Sequence, residues 1–208
     1  MALIMTLEIV QIRGERGDNF SYLVFCNQTR QAMIIDSSFA AETLLHEIDK
    51  RNLELVMVAN THGHRDHTAG NDRIIGVTGV PLAAHHADIP LAQIPLHNGQ
   101  TLMLGNGSVE VLHTPGHSPG SVVFRTENAL ITGDTLFISR CGRADLPGGD
   151  VERLYHSLQK LKLLPDELTV YPGHDYGPTP TATLGQEKQS NPFLLCNDLE
   201  SFIALRMG

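Results

Sequence analysis

Apolar and polar positions divide the first sixty residues into short blocks. Segments 7–12, 21–26 and 32–36 are apolar stretches of strand length, separated by turn-like polar connections at 13–19 and 27–30, and they predict a meander. Leu44, Leu45 and Ile48 then recur at helical spacing among charged residues, which predicts an amphipathic helix over 40–51 covering a sheet. Segment 53–59 returns as a buried strand. Beyond it, a helix is predicted to start near 68–71, a strand at 81–84, and a helix over 151–163 that Pro165 stops. Segment 197–207, with Leu199, Phe202, Ile203 and Leu205, reads as a terminal helix that packs on the core or meets a partner. Strands alternating with helices in both halves predict a mixed α/β protein whose sheets are covered by helices.

Candidate chemistry sits at the ends of the apolar runs. Directly after the strand at 53–59 comes Thr61-His62-Gly63-His64-Arg65-Asp66-His67, with four potential metal ligands between positions 62 and 67. Imidazole nitrogens with a carboxylate oxygen make a mixed donor set suited to zinc, iron or manganese. An extended backbone through the small Gly63 throws His62 and His64 to the same side, and Asp66 and His67, further round the turn, can face a second metal. Surface histidines in a polar loop are the plainer alternative, which so dense a cluster disfavours. His117 follows the apolar run 109–112 in Thr114-Pro115-Gly116-His117, Asp134 follows 129–131, and His174 follows 168–171 in Pro172-Gly173-His174-Asp175. Each lies beside glycine or proline, where the backbone can bend to a common point at the strand ends.

In order and spacing these residues resemble the metallo-β-lactamase superfamily, over roughly residues 7 to 195. The resemblance implies a four-layer αβ/βα sandwich. It also implies a first metal held by His62, His64 and His117, and a second held by Asp66, His67 and His174, with Asp134 bridging. Two divalent ions are therefore expected, zinc foremost, with iron or manganese also suited. Thr132-Gly133-Asp134-Thr135-Leu136-Phe137, Cys141-Gly142-Arg143 and Gly173-His174-Asp175-Tyr176 look like the glyoxalase II (hydroxyacylglutathione hydrolase) branch and its persulfide dioxygenase relatives. The expected reaction is hydrolysis of a thioester such as S-lactoylglutathione by a metal-bound hydroxide, because coordination lowers the pKa of water from about 15.7 to roughly 7. Asp66 would ligate the second metal and orient that hydroxide. A thiolate leaving group, with a conjugate acid near pKa 8.5, needs little general-acid help.

By the same resemblance Arg143 and Tyr176 lie near the metals and would hold the carboxylates or amides of a thiol carrier. Arg143 has another use open to it, an ion pair with Asp145 or Asp150. Asp36 looks like a carboxylate that supports a metal-binding histidine or the loop around it. Cys141 reads as a buried structural thiol. His85, His86, His97, His113 and His156 lack ligand context and are given structural or solvent-facing roles. The competing reading is an iron-dependent persulfide dioxygenase that oxidises glutathione persulfide, with iron on His62, His117 and Asp134. A fold that keeps its zinc without catalysis, a β-lactam hydrolase and a lactonase are weaker alternatives.

Composition narrows the classes. A chain of 208 residues with 41% hydrophobic residues buries a substantial core and fits one domain, 1–208, with no linker apparent. The formal charge of −8, with scattered basic residues, offers no electrostatic case for nucleic acid or an anionic membrane. Cys26, Cys141 and Cys196 form no C-x-x-C pair and are odd in number, which suits free thiols in a reducing compartment. No signal peptide and no long apolar span is visible, so cytoplasmic residence and a monomer or homodimer are expected. Glyoxalase II continues past its final Gly-His motif into a helical domain that helps bind glutathione, whereas 34 residues follow His174 here. The tail from Thr183 to Phe193 resembles the ending of short, single-domain glyoxalase-II-like hydrolases, which leaves the thiol carrier open.

Overall fold

Residues that alternate in pairs of faces build the two central layers. The computed structural model describes residues 7–208. Its first half runs β1 (Leu7–Arg13), β2 (Phe20–Cys26), β3 (Gln31–Ile35), α1 (Ala41–Arg51), β4 (Glu54–Ala59), α2 (Arg65–Thr68), α3 (Asn71–Thr78), β5 (Leu82–Ala84) and β6 (Ile94–Pro95). The second half runs β7 (Thr101–Leu104), β8 (Gly107–His113), β9 (Val122–Arg125), β10 (Ala129–Gly133), β11 (Leu136–Phe137), β12 (Arg140–Cys141), α4 (Val151–Lys162) and β13 (Thr169–Pro172). It closes with β14 (Ala182–Thr183), α5 (Leu184–Ser190), α6 (Pro192–Leu195) and α7 (Leu199–Met207).

One sheet has the order β1-β2-β3-β4-β5-β6 and the other β14-β13-β10-β9-β8-β7. Each pairs an antiparallel meander with a helical crossover to a parallel strand: β3 to β4 through α1, and β10 to β13 through α4. The repeated plan is structural; no repeat is visible among the ligand motifs. Tyr22, Val24, Met33 and Ile35 of the first sheet meet Val109, Val111, Phe124 and Ile131 of the second in the core between them. The opposite faces pack outward: Leu23, Phe25 and Ile34 on Leu44, Ile48 and Ile74 of α1 and α3, and Leu130 and Val170 on Leu154, Leu158 and Leu161 of α4. These layers are the αβ/βα sandwich that the superfamily resemblance implies.

Local differences have physical reasons. The helix expected to start near 68–71 begins at Asn71 as α3, and a single turn over Arg65–Thr68 precedes it. The break at Ala69-Gly70 lets Ser38 N–H reach the carbonyl of His67. Helix α4 ends at Lys162 rather than Leu163, whose amide caps the last turn. The terminal helix forms, but it is apolar all round: Phe202 is buried while Ile203, Leu205 and Met207 are exposed. No helix among the described residues is long and apolar enough to cross a membrane.

Candidate metal centre

The seven candidate ligands converge at the strand ends on one edge of the sandwich. His62 Nε2 lies 3.1 Å from His64 Nδ1, which is 2.9 Å from His117 Nε2. His67 Nε2 lies 3.2 Å from His174 Nε2, and Asp66 Oδ2 lies 3.5 and 3.4 Å from those two nitrogens. Asp134 stands between the groups: Oδ1 is 3.2 Å from His67, and Oδ2 is 3.3 Å from His174 and 3.5 Å from His117. The donors of a tetrahedral cation with bonds of 2.0–2.1 Å are about 3.3 Å apart, and the spacings within the two triads match that edge.

Hydrogen bonds behind the rings fix which nitrogen faces inward. His117 Nδ1 is 2.8 Å from the Arg143 carbonyl, which can only accept, so Nδ1 carries the proton and Nε2 keeps its lone pair for the centre. His67 Nδ1 faces Asp36 Oδ2 at 2.9 Å. Thr61 Oγ1 donates to Asp36 Oδ2 at 2.6 Å, which leaves its oxygen to accept from His62 Nδ1 at 3.0 Å. Asp36 thus orients His67 directly and His62 through Thr61, the supporting role expected of it. Gly133 adopts φ +48°, and a Cβ there would strike the Thr61 side chain 2.4 Å away.

Electrostatics test whether the donors fit a cation. Burial opposes the Asp134 anion, but His67, His174 and His62 outweigh it and hold the carboxyl well below its usual range. Burial likewise opposes charge on His174, yet Asp134 and Asp66 outweigh it and raise the imidazole to about 9. His67 is raised in the same way by Asp134 and Asp36, whereas burial and His67 together depress His62. The second triad therefore demands positive charge. Asp134 Oδ1 is buried without a hydrogen-bond partner among the described residues, an orphan that a cation would satisfy. The donor set fits divalent metal, and His62, His64 and His117, or Asp66, His67 and His174, could each hold an ion.

Two further residues carried no signal in the chain. Asn19 Nδ2 donates to Asp66 Oδ2 at 3.0 Å from the β1–β2 turn. Asp88, on the loop after β5, joins both loops of the first triad. It accepts from Gly63 N–H at 2.9 Å and Ser118 Oγ at 2.6 Å through Oδ2, and from Gly120 N–H at 2.6 Å through Oδ1. Asp88→Ala is expected to weaken binding at the first triad by about 10- to 100-fold while sparing the second. Chelator titration of the metal-loaded protein, following the two ions separately, checks it; equal loss at both triads would show a general loosening instead.

The histidines without ligand context stay outside the centre. His85 stacks on His113 at 4.2 Å and on His86 at 4.7 Å, and its Nδ1 accepts from Ala87 N–H. Burial, then His113 and His86, press its pKa down from 6.5 to about 4. A folded value below the unfolded one means this contribution to stability is present above pH 6.5 and is lost as pH falls towards about 4. His85→Phe should flatten the decline of the denaturation midpoint across that window. An unchanged acid limb in the variant would count against His85 as its source.

A cavity of about 540 Å³ opens beside Asp134. Tyr176 lines it with its ring stacked on His174, 4.6 Å between centroids and 6° between planes, and Phe137 stands edge-on to both. Arg143 also lines it, but its guanidinium is committed to Asp145 through bonds of 2.8 and 2.6 Å. Near the ligands Arg143 presents its carbonyl to His117, while its side chain pairs with Asp145 at the cavity wall. Cys141 is buried in the wall, its thiol pushed up to about 12 by that burial.

A two-layer sheet core flanked by helices, with a paired His and Asp cluster at its strand ends and a cleft beside it, defines a metal-dependent enzyme class. The model of the metallo-beta-lactamase superfamily matches residues 14–174, and the chain belongs to that superfamily. It is 33% identical over 226 residues to a hydroxyacylglutathione hydrolase of Rhodospirillum rubrum, an alignment covering 91% of this chain and 87% of that one. The crystal structure of ETHE1 from Myxococcus xanthus superimposes with a TM-score of 0.92 at 30% identity, covering 97% and 90% of the two chains. TTHA1623, solved in a di-iron-bound form, superimposes with a TM-score of 0.78 at 32% identity, covering 89% of this chain and all of that one (100%).

Proposed function

We propose that this enzyme hydrolyses thioesters of the hydroxyacylglutathione type at a dinuclear centre. The first ion is assigned to His62, His64 and His117, the second to Asp66, His67 and His174, with Asp134 between them. The observation that carries the reading is the facing of the two triads across one buried carboxylate at the mouth of the cavity. Two divalent ions held there would supply a hydroxide nucleophile at neutral pH and a Lewis acid for the substrate carbonyl. Zinc suits the nitrogen and oxygen donors, as do iron and manganese.

The chain's own groups do the rest. Asp66 is fixed through Oδ2 by Asn19, which aims the carboxylate at the reacting centre to orient the attacking water. Tyr176 and Phe137 provide an aromatic wall for the thiol carrier, and the departing thiolate needs little general-acid help. Residues 1–208 are read as one domain, supported by three apolar cores that share the two sheets. Cytoplasmic residence is proposed on the three unpaired cysteines.

The test is metal content on protein purified without added metal, with S-lactoylglutathione hydrolysis and glutathione-persulfide-dependent oxygen uptake measured on the same sample. About two metals per chain with thioester turnover is the expected result. One iron with oxygen consumption would replace the hydrolase by the persulfide dioxygenase of the same branch.

A further inference from the structure

The hairpin that follows Asp134 is too short to hold itself. Strands β11 and β12 pair through two residue couples, Leu136 with Cys141 and Phe137 with Arg140, and a two-stranded ribbon of that length has little stability of its own. Its tip bends through Ser139 at φ 62°, a left-handed conformation in which a non-glycine residue persists where its surroundings hold it. Yet this hairpin reaches the metal centre twice. Phe137 stands edge-on to His174, and two residues past β12 the Arg143 carbonyl meets His117 Nδ1 at 2.8 Å. Gly142, just before it, passes so close that a Cβ there would run into the Asp134 carbonyl and come within 3.2 Å of His117 Nδ1. A small displacement of the hairpin is therefore passed directly to His117.

The brace comes from the segment after His174. Glu187, buried on α5, accepts through Oε2 from Ser139 N–H at 2.8 Å and from Asn191 Nδ2 at 2.8 Å. Asn191, fully buried where α5 gives way to α6, also donates from Nδ2 to Phe137 O at 3.2 Å and Arg140 O at 3.0 Å, while its Oδ1 caps α6 on Phe193 N–H. The amide at the tip and the carbonyls on either side of it are thus all bound to one pair of side chains. Helix α5 is itself fixed: the Thr183–Gln186 capping box closes its start, and Gly185 N–H donates to Asp166 O at 2.9 Å. Buried polar groups bonded in this way rigidify what they hold.

We infer that Glu187 and Asn191 are positioning residues of the metal centre: through the hairpin 136–141 they set the Arg143 carbonyl, and with it the ring of His117. This rests on the assignment of His62, His64 and His117 to one ion, and not on the identity of the substrate. The second triad is held by other groups, Asp36 behind His67 and Asn19 on Asp66, and Phe137 meets His174 through a ring edge that directs no nitrogen. The node therefore governs the first ion selectively. Segment 183–193 has a task at the centre although none of its residues is a candidate ligand.

The experiment compares Glu187→Met, which keeps the volume and removes the acceptor, with Glu187→Gln, which keeps an oxygen, and with Leu44→Ala, which opens a cavity in the separate core beneath α1. Cadmium-113 NMR and chelator titration of the cadmium-loaded protein follow the two ions separately. In Glu187→Met the first-triad ion should bind about 10- to 100-fold more weakly and its resonance should move, with the second ion unchanged, and Glu187→Gln should recover most of the loss. Asn191→Asp, which keeps the α6 cap and loses the donor, reaches the node from the other side and should weaken the same ion. Leu44→Ala should lower Tm without separating the two affinities. Imidazole nitrogen-15 NMR of the metal-free protein needs no ion: His117 should keep its proton on Nδ1 in the wild type and Glu187→Gln, and populate both tautomers in Glu187→Met. Equal weakening of both ions with an unchanged His117 tautomer would reduce Glu187 to a stabiliser of the fold and overturn the inference, as would wild-type retention of both ions in Glu187→Met. A wild type that holds a single cadmium ion would sink the two-triad assignment, and the His117 tautomer would then uphold or overturn the node by itself.

Discussion

Asp134→Asn is expected to lower thioester turnover by about 10³-fold, with metal content falling below two ions per chain. The side chain keeps its size and loses its charge, which isolates the electrostatic role. One carboxylate faces both triads, with Oδ1 towards His67 and Oδ2 towards His174 and His117. Asparagine fills the same volume and keeps one oxygen towards the histidines, so the surrounding fold is expected to hold. An amide offers one oxygen, and its NH2 group can ligate nothing, so both triads lose the shared anion and one of them loses its oxygen donor as well. Circular dichroism should therefore match the wild type while activity and metal content fall together. Full turnover with two bound metals would remove Asp134 from the centre.

Asp36→Ala should act on the fold as strongly as Asp134→Asn acts on turnover, costing about 3–5 kcal/mol. Asp36 is 1% exposed and accepts from Thr61 N–H at 2.8 Å, Thr61 Oγ1 at 2.6 Å and Asn60 Nδ2 at 3.3 Å, besides facing His67 Nδ1. Truncation strands those donors in the interior, where water cannot replace the acceptor. The backbone adds to the cost, since φ at this position is 54°, a region that aspartate and asparagine enter far more readily than alanine. For a chain of this size the loss corresponds to a fall of about 10 °C in Tm. Asp36→Asn, which retains one acceptor oxygen and tolerates the same φ, should cost less in stability. It should still weaken metal binding by about 10- to 100-fold, because Thr61 and His67 can no longer both be oriented. Denaturant unfolding of both variants measures the first effect and chelator competition the second; a Tm within a degree of wild type for Asp36→Ala would contradict the account.

Much of the centre was written in residue type and local spacing. His62, His64, Asp66 and His67 fall within six positions, and the other candidates each follow an apolar run beside a turn former, so the chemistry could be named without coordinates. The strongest strands and the helices α1 and α4 were legible because their apolar periods extend over a full strand or several helical turns. Strands β6, β11, β12 and β14 are two residues long, too short for any period, and α5 and α6 declare themselves through the caps Thr183 and Asn191 more than through an apolar stripe. Helix α7 has no polar face, so its one buried anchor, Phe202, could not be told from its exposed neighbours.

The sequence by itself determined the donor set, and with it the class of chemistry, because a ligand's capacity belongs to its side chain. Only the tertiary structure decided which groups besides Asp36 stand behind those ligands. Asp88 ties Gly63 to Gly120, Asn19 reaches Asp66, and the Arg143 carbonyl rather than its guanidinium fixes His117. These partners lie 25 to 47 positions apart, and what joins them is the way loops from separate strands crowd one edge of the sandwich. A hydrogen bond of about 3 Å is lost with a small shift in that packing. No local pattern in the chain encodes such a distance; it follows from how the sheets and crossovers are stacked.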